Sequence, residues 1–237
     1  MKPLLSCFRM FLRQITKDRM LYAVLAAPLL AACFFRFGIP KIEILLCGYF
    51  RAAEVLSDYY LLFDLFLAAL TPYMLCFASS MVLLTEMDEH TAGYMAVTPV
   101  GKRGYIVSRL IFPAAISALA SFFLLHFFSL TCWSALSAFL VCLLTALLGV
   151  AVSLLLVAFS HNRVEGMALA KLSGLLMLGL PAPFFLFSRA QYLLAPLPSF
   201  WIAKLCTGGT LLPVLPALLT SFFWIWVLYI RFADKLF

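Results

Sequence analysis

The sequence predicts an all-α polytopic membrane protein with six transmembrane helices, an N-terminal amphipathic helix in the membrane interface, and both termini in the cytoplasm. Of its 237 residues, 65% are hydrophobic and 11% are charged, against about 45–50% and about 25% in soluble domains. The mean hydropathy is +1.09. Since a spanning helix needs about 20 apolar residues, the chain is predicted to form a single transmembrane domain with short connections and no sizeable aqueous domain.

The net charge of +7 does not indicate a nucleic-acid partner. In so apolar a chain, lysine and arginine are typical of cytoplasmic loops and of contacts with lipid headgroups, so membrane lipids are the expected partner. The seven cysteines show neither a CxxC pair nor a metal-ligand spacing, and they are interpreted as packing residues without a disulfide framework. They are Cys7, Cys33, Cys47, Cys76, Cys132, Cys142 and Cys206.

Residues 1–19 predict the interfacial helix. Phe8, Phe11 and Ile15 fall on one helical face, whereas Arg9 and Lys17 fall on another, which is typical of a helix that lies flat among lipid phosphates. A cleaved signal peptide is the alternative, because residues 30–33 resemble a lipoprotein cleavage box. The long amphipathic leader and the very apolar remainder argue against cleavage.

The apolar runs predict where the chain crosses the membrane. The predicted spans are residues 20–35, 59–85, 110–130, 132–160, 167–187 and 210–230. Residues 36–58 are mixed and predict an outer interfacial segment, and residues 188–209 predict an outer loop or re-entrant segment.

The run from Leu110 to Ser160 has 51 residues without Asp, Glu, Lys or Arg. As one helix it would measure about 76 Å, more than twice the hydrocarbon thickness of about 30 Å. It therefore has to cross twice, and its most polar point, residues 129–134, predicts the turn. Trp133 would then lie in the outer aromatic belt.

The basic residues predict the orientation. With both termini inside, 12 lysines and arginines are cytoplasmic and 5 are external. This bias has the sign expected of the positive-inside rule, and it predicts a multi-pass protein of the cell (cytoplasmic) membrane, the inner membrane in bacteria.

An acid and a histidine inside predicted spans are candidate functional residues. Asp64 lies near the outer end of the second span and is interpreted as interfacial, with a functional role as the alternative. His126 is interpreted as a boundary or packing histidine, with a proton relay as the alternative. Small residues four apart predict close helix contacts within the subunit or across a dimer. These pairs are Ala114 with Ala118, Ser117 with Ser121, and Gly149 with Ser153.

The stretch from Leu84 to Pro113 is the one place where acidic, basic and turn residues crowd together between long apolar runs. Glu86, followed by Thr91, Tyr94, the Thr98-Pro99 pair, a basic turn and Arg109, resembles the permease subunits of type-2 ABC exporters (ABC-2 type). The six predicted spans and the amphipathic N-terminal helix extend this resemblance over the whole chain.

The resemblance implies that residues 86–97 form the coupling segment, which docks on a separate ATPase. The implied coupling residues are Glu86, Asp88, Glu89, Thr91 and Tyr94. Pro99, Lys102, Arg103 and Arg109 are expected to anchor the turn at the headgroups.

The resemblance also implies the partners. Two ABC ATPase subunits would bind ATP and Mg, and a second permease subunit would complete a homodimer or a similar heterodimer. This chain has no GxxxxGK[ST] phosphate-binding loop, so it is not expected to be an enzyme, and no catalytic, cofactor-binding or metal-binding residue is assigned to it. The expected substrate is a small amphipathic compound, such as a drug, a peptide or a lipid-like molecule, moved out of the cytoplasm.

Two other classes of protein remain as alternatives. An integral membrane enzyme acting on lipids needs clustered carboxylates or histidines, and only Asp88, Glu89 and His90 are clustered, at consecutive positions that point in different directions on a helix. An ion-coupled secondary transporter usually has midplane charges or paired repeats, and the sequence shows neither.

Overall fold

A computed structural model describes residues 2–51, 53–89, 101–186 and 188–236, and over these ranges the chain is helical without strands. The α-helices in chain order are α1 (Lys2–Lys17), α2 (Arg19–Cys33), α3 (Ile39–Phe50), α4 (Tyr60–Asp88), α5 (Gly101–Ile106), α6 (Phe112–Phe128), α7 (Ala135–Phe159), α8 (Arg163–Ser173), α9 (Ala182–Phe185), α10 (Pro198–Thr207) and α11 (Val214–Leu236). Single π-helical turns, Phe34–Gly38 and Val107–Ile111, join α2 to α3 and α5 to α6.

Within the described ranges, five helical segments are long and apolar enough to cross a bilayer. They are Arg19–Phe50, Ser57–Asp88, Gly104–Phe128, Ala135–Phe159 and Val214–Lys235. The all-helical, multi-pass membrane class expected from composition is therefore confirmed.

The first of these segments differs from the prediction, because the helix does not end at Phe35. It continues through a π turn into α3 and ends at Phe50, so that the segment Arg19–Phe50 has 32 residues and a length of about 48 Å at 1.5 Å per residue. Arg36 lies within this continuous helical segment, and its guanidinium donates a hydrogen bond to the carbonyl of Ser129, 2.7 Å away.

The predicted fifth span, residues 167–187, is not one continuous helix. Helix α8 ends at Ser173, a 3₁₀ turn follows over Gly174–Met177, and α9 has only four residues. Two prolines, Pro181 and Pro183, interrupt the backbone hydrogen bonding here. Helix α8 begins beside Asp18, yet the ring of Phe185 stacks on Tyr59 at the opposite end, with centroids 5.3 Å apart. The chain therefore passes between the two ends of the bundle as a broken helix.

The segment after α9 turns back into the bundle. The indole of Trp224, in the middle of α11, donates to the carbonyl of Pro196 at 2.9 Å. Helix α10 then returns towards Trp133, which lines the same cavity as Cys206. Gly179 permits the close approach at the start of α10, because a Cβ there would lie 2.4 Å from the nitrogen of Phe200. The outer loop or re-entrant segment expected for residues 188–209 stays a prediction.

Helices α4 and α7 form the centre of the bundle, and Gly149, one of the small residues predicted to allow close contacts, lies where they meet. A Cβ on Gly149 of α7 would lie 2.9 Å from the carbonyl oxygen of Pro72 on α4. Because Pro72 has no N–H, it cannot bond the carbonyl of Ala68 one turn earlier. The hydroxyl of Ser121 on α6 donates to that carbonyl at 2.9 Å instead, so a proline in the core is compensated from a neighbouring helix.

The bundle has two ends, which we name by their buried charges. The Arg109 end holds α1, the last turn of α4, α5 and the start of α8. The C-terminal helix also finishes here, because Lys235 donates to the carbonyl of Val157 at 2.9 Å. The Asp64 end holds the start of α4 and the turn between α6 and α7. Helix α1 and the last turn of α11 thus lie at the same end of the bundle.

Candidate functional site

The charged connection between α4 and α6 begins and ends in a buried cluster at the Arg109 end. Glu86, in the last turns of α4, is 2% exposed, and Tyr105 and Arg109 are fully buried. The phenol of Tyr105 donates to Glu86 Oε2 at 2.7 Å, and Arg109 Nε donates to the same oxygen at 3.1 Å. Arg109 Nη2 pairs with Glu86 Oε1, so the guanidinium fork binds both carboxylate oxygens.

Helical periodicity brings these groups onto facing surfaces. Tyr105 and Arg109 are four residues apart, and Ser79 and Glu86 are seven apart, so each pair shares one face of its helix. The π turn at Val107–Ile111 frees the backbone locally, and the hydroxyl of Ser79 donates to the carbonyl of Arg109. Helix α4 is thereby tied to both the side chain and the backbone of the segment that leads into α6.

The N-terminal helix α1 covers this cluster. The ring of Phe11 lies 5.0 Å from the guanidinium carbon of Arg109, and Phe11 itself is 2% exposed. One turn earlier, Phe8 makes an edge contact with Phe112 at the start of α6, with centroids 5.4 Å apart. Since a cation over an aromatic face is attracted more strongly where water is excluded, α1 is held to the cluster by charge as well as by apolar contact.

Burial makes the ion pair a demanding interaction. Removing both charges from water costs several kcal/mol per ion, roughly, before the pair and its hydrogen bonds offset that cost. Arg109 meets this requirement with the two oxygens of Glu86 and the faces of Phe11 and Tyr105, the latter 5.7 Å away. Loss of either charge would remove the ion pair that offsets this cost.

A second ion pair at the same end joins α2 to α8. Asp18 caps α2 by accepting hydrogen bonds from the N–H groups of Met20 at 2.9 Å and Leu21 at 3.4 Å, and it pairs with Arg163. Burial alone would raise the pKa of the Asp18 carboxyl, but the hydrogen bonds from Arg163, Leu21 and Met20 outweigh burial and hold that pKa below its usual value. The backbone N–H of Arg163 donates to Asp88 at 3.1 Å, which adds the end of α4 to this junction.

The coupling residues implied by the sequence are divided between these two sites. Glu86 lies in the buried cluster, and Asp88 binds the backbone of Arg163. Glu89 is exposed at the end of α4, on the wall of a cavity of about 550 Å³ that Gln14 and Lys17 also line. Thr91 and Tyr94 lie outside the described residues.

The structure describes only some of the four residues that were expected to anchor the turn at the headgroups. Pro99 lies outside the described residues, and the backbones of Lys102 and Arg103 lie in α5. Arg109 is fully buried, which corrects the expectation that it reaches the lipid headgroups, because Glu86 provides a carboxylate partner inside the protein.

Sequence reasoning missed three members of the cluster. Phe11, Ser79 and Tyr105 are uncharged, so a search for charges does not find them. The four-residue spacing of Tyr105 and Arg109 could have indicated their shared role, because it places both side chains on one helical face. Glu86 lies on the other side of the connection. Nothing in the sequence indicated the contact with Phe11.

The Asp64 end contains a different polar centre. Asp64 is fully buried and accepts hydrogen bonds from the N–H of Leu130 at 2.8 Å, from the N–H and hydroxyl of Thr131 at 2.9 and 2.6 Å, and from the indole of Trp133 at 3.0 Å. The carboxylate of Asp64 thus holds the predicted turn between α6 and α7, and its interfacial position stays a prediction. His126 is exposed on the wall of an adjacent cavity.

Comparison with known proteins gave one family. A family model described as "Fluoroquinolones export permease protein Rv2686c-like" matches residues 11–230 of the chain. No curated protein and no solved structure matches. The description is that of an export permease, so a membrane transport component, not an enzyme, is the class that the match supports.

Proposed function

Because the chain belongs to the Rv2686c-like family of fluoroquinolones export permeases, we propose that it is the transmembrane permease subunit of an ABC-2 type exporter. Two copies of a separate ATPase subunit bind ATP and Mg²⁺, and a second permease subunit, identical or similar, completes the pathway. The cargo is a small amphipathic compound that leaves the cytoplasm, and the drugs in the family description belong to this class.

The observation that carries this proposal is the bidentate pair of Glu86 and Arg109. The pair bridges the two ends of the connection, residues 90–100, that we propose as the main part of the ATPase docking segment. Because Ser79 also holds the backbone of Arg109, a displacement of the connection moves α4 and the start of α6 together. A short docking segment can then transmit ATPase closure as a nearly rigid motion.

Helix α1 and the start of α8 extend the moving unit. Phe11 fixes α1 over Arg109, while Asp88 and Asp18 both bind Arg163. One rigid junction therefore includes α1, α2, α4, α6 and α8. In this proposal ATP binding rocks that junction against the second permease subunit, and a route opens between the two.

Co-purification tests the proposal most simply. The tagged chain is extracted from membranes of its native host in a mild detergent, and its partners are identified by mass spectrometry. We expect an ABC ATPase in stoichiometric amount, and drug export from reconstituted vesicles that depends on ATP. A stable complex that exports without an ATPase, driven by a proton or sodium gradient, would instead identify a secondary transporter.

A deletion tests the docking segment separately. Removal of residues 87–97 is expected to leave the membrane bundle folded but to abolish ATPase binding or stimulation. Gel filtration of the membrane protein reports folding, and the ATPase rate of the reconstituted complex reports coupling. Normal stimulation after this deletion would exclude residues 86–97 as the coupling segment.

A further inference from the structure

Arg36 is a cation in an otherwise apolar part of its helix. It lies on the π turn between α2 and α3, 17 residues beyond Arg19, or about 25 Å along the helix axis. Single π turns inside α-helices frequently occur at functional sites. Arg36 is exposed, and Nη1 donates to the carbonyl of Ser129.

The guanidinium of Arg36 has no acidic partner among the residues that the structure describes. Among the described residues no carboxylate oxygen lies within 4 Å of it, since the ion pairs there are those of Arg109 and Arg163. Asp64 does not neutralise Arg36 by contact, because its two oxygens accept hydrogen bonds from the α6–α7 turn. A guanidinium has five N–H donors, and the neutral carbonyl of Ser129 occupies one side of the fork.

A large aromatic cavity adjoins this charge. It measures about 770 Å³ and is bounded by Arg36, the last two turns of α6 and the start of α7, which is within the range of roughly 300–1,000 Å³ for small-molecule sites. Its rings are those of Phe122, Phe123, His126, Phe127 and Trp133. Phe123 and Phe127 are 57% and 67% exposed, so their faces are available to a ligand.

We propose that this cavity binds planar aromatic carboxylates, with Arg36 as the carboxylate-binding residue. The proposal rests on the export function proposed above, and it adds the cavity and the residue that bind the carboxylate of a cargo such as the drugs in the family description. The fork of a guanidinium matches a carboxylate bidentately, and the phenylalanine and tryptophan rings provide faces for a flat ring system. The inferred contacts need neither ATP nor the ATPase.

A lipid phosphate could supply the same negative charge. The aromatic walls favour a flat ring over an acyl chain and headgroup, and competition distinguishes the two. Binding is therefore measured in nanodiscs of phosphatidylcholine and, separately, in nanodiscs that contain phosphatidylglycerol.

The experiment uses the full chain and two matched probes, norfloxacin and its ethyl ester, whose fluorescence reports binding. The ester keeps the ring system but lacks the carboxylate. We expect the wild-type chain to bind the acid about tenfold more tightly than the ester, as one charge-assisted interaction implies. Arg36→Gln should abolish this preference, and Arg36→Lys should restore only part of it, since an ammonium lacks the planar fork.

The controls separate the charge from general damage. Arg189→Gln alters another exposed arginine away from the cavity and should bind like the wild type. Phe123→Ala should weaken binding of both probes equally. Equal binding of acid and ester by the wild type, or an unchanged preference in Arg36→Gln, would overturn the proposal. Displacement of norfloxacin by phosphatidylglycerol, without a preference for the acid, would identify a lipid site instead.

This result is independent of the proposed ABC mechanism. Binding to the isolated chain with no ATPase partner in cells would contradict the exporter assignment but keep the binding site. If an ATPase partner is found but the chain does not prefer the acid over the ester, the exporter assignment is kept and the binding site is contradicted.

Discussion

The two ends of the bundle each bury a carboxylate from α4, and they satisfy it in opposite ways. Asp64 is surrounded by neutral donors from one four-residue stretch of the α6–α7 turn, Leu130 to Trp133. Glu86 is bound by a cation, Arg109, and by the phenol of Tyr105, both across the undescribed connection. The first centre closes a hairpin locally, whereas the second joins segments that a docked partner could move.

This difference separates a structural role from a transmitting one. If the Asp64 centre only holds a turn, its loss should reduce stability. The molecules that still fold should remain coupled to the ATPase. If the Glu86 centre transmits motion, its loss should uncouple the membrane bundle from the ATPase even in a variant whose stability is restored. Substitutions at the Asp64 end should therefore change stability alone, whereas substitutions at the Arg109 end should change both stability and coupling.

The largest effect is expected for Arg109→Met. Glu86 would then be a buried charge without its cation, which costs about 3–5 kcal/mol. The double variant Glu86→Gln with Arg109→Met removes both charges and should regain most of that stability. Thermal unfolding in detergent measures both variants. Arg13→Met, at an exposed arginine of α1, is the matched control, and an equal loss there would show that the buried pair has no special role.

Asp64→Asn should have the next largest effect. An amide cannot accept all the hydrogen bonds that the carboxylate accepts, so we expect a loss of about 2–3 kcal/mol. ATPase stimulation per folded molecule should remain normal. Trp133→Phe, which removes one donor, should cost about 1 kcal/mol. Loss of stimulation in folded Asp64→Asn would remove the distinction between the two ends.

Phe11→Leu should show a smaller loss that depends on Arg109. Leucine keeps an apolar contact but lacks the ring face, which implies a cost of about 1 kcal/mol. In a double-mutant cycle this cost should disappear when Arg109 is already methionine. An unchanged cost in that background would show that Phe11 acts through packing alone.

The smallest effect on stability is expected when low pH protonates Asp18. Its pKa is lowered in the folded state, so its contribution is present above the unfolded pKa of about 3.9 and is lost as the pH falls through the folded value. Because the pair with Arg163 is partly exposed, its contribution is about 0–1 kcal/mol. Unfolding of Asp18→Asn and wild type should differ at pH 7 and converge in strong acid; a constant difference would contradict this assignment.

Hydropathy predicted much of this fold because lipid exposure imposes a strong composition on each helix. The turn at residues 129–134 was predictable since 51 uncharged residues cannot cross once. The helix through Arg36 was not, because that residue's charge is accommodated by the carbonyl of Ser129, 93 positions away. The broken passage after α8 also depends on packing, at Gly179 and the start of α10.

The candidate site was predictable in position but not in arrangement. The acid at Glu86 and the base at Arg109 stood out as charges that flank a polar connection. Their pairing depends on the register between α4 and the π turn, which hydrophobic periodicity does not determine. For this reason the sequence predicts a headgroup contact for Arg109, although the residue lies inside the protein.

The most direct test of the transmitting role is the drug-stimulated ATPase rate of the reconstituted complex that contains the Glu86→Gln with Arg109→Met double variant. The membrane protein should be folded and bound to its ATPase, yet drug should no longer raise the rate, while Asp64→Asn complexes respond normally. Full stimulation in the double variant would show that the buried pair stabilises the bundle without coupling it to the ATPase.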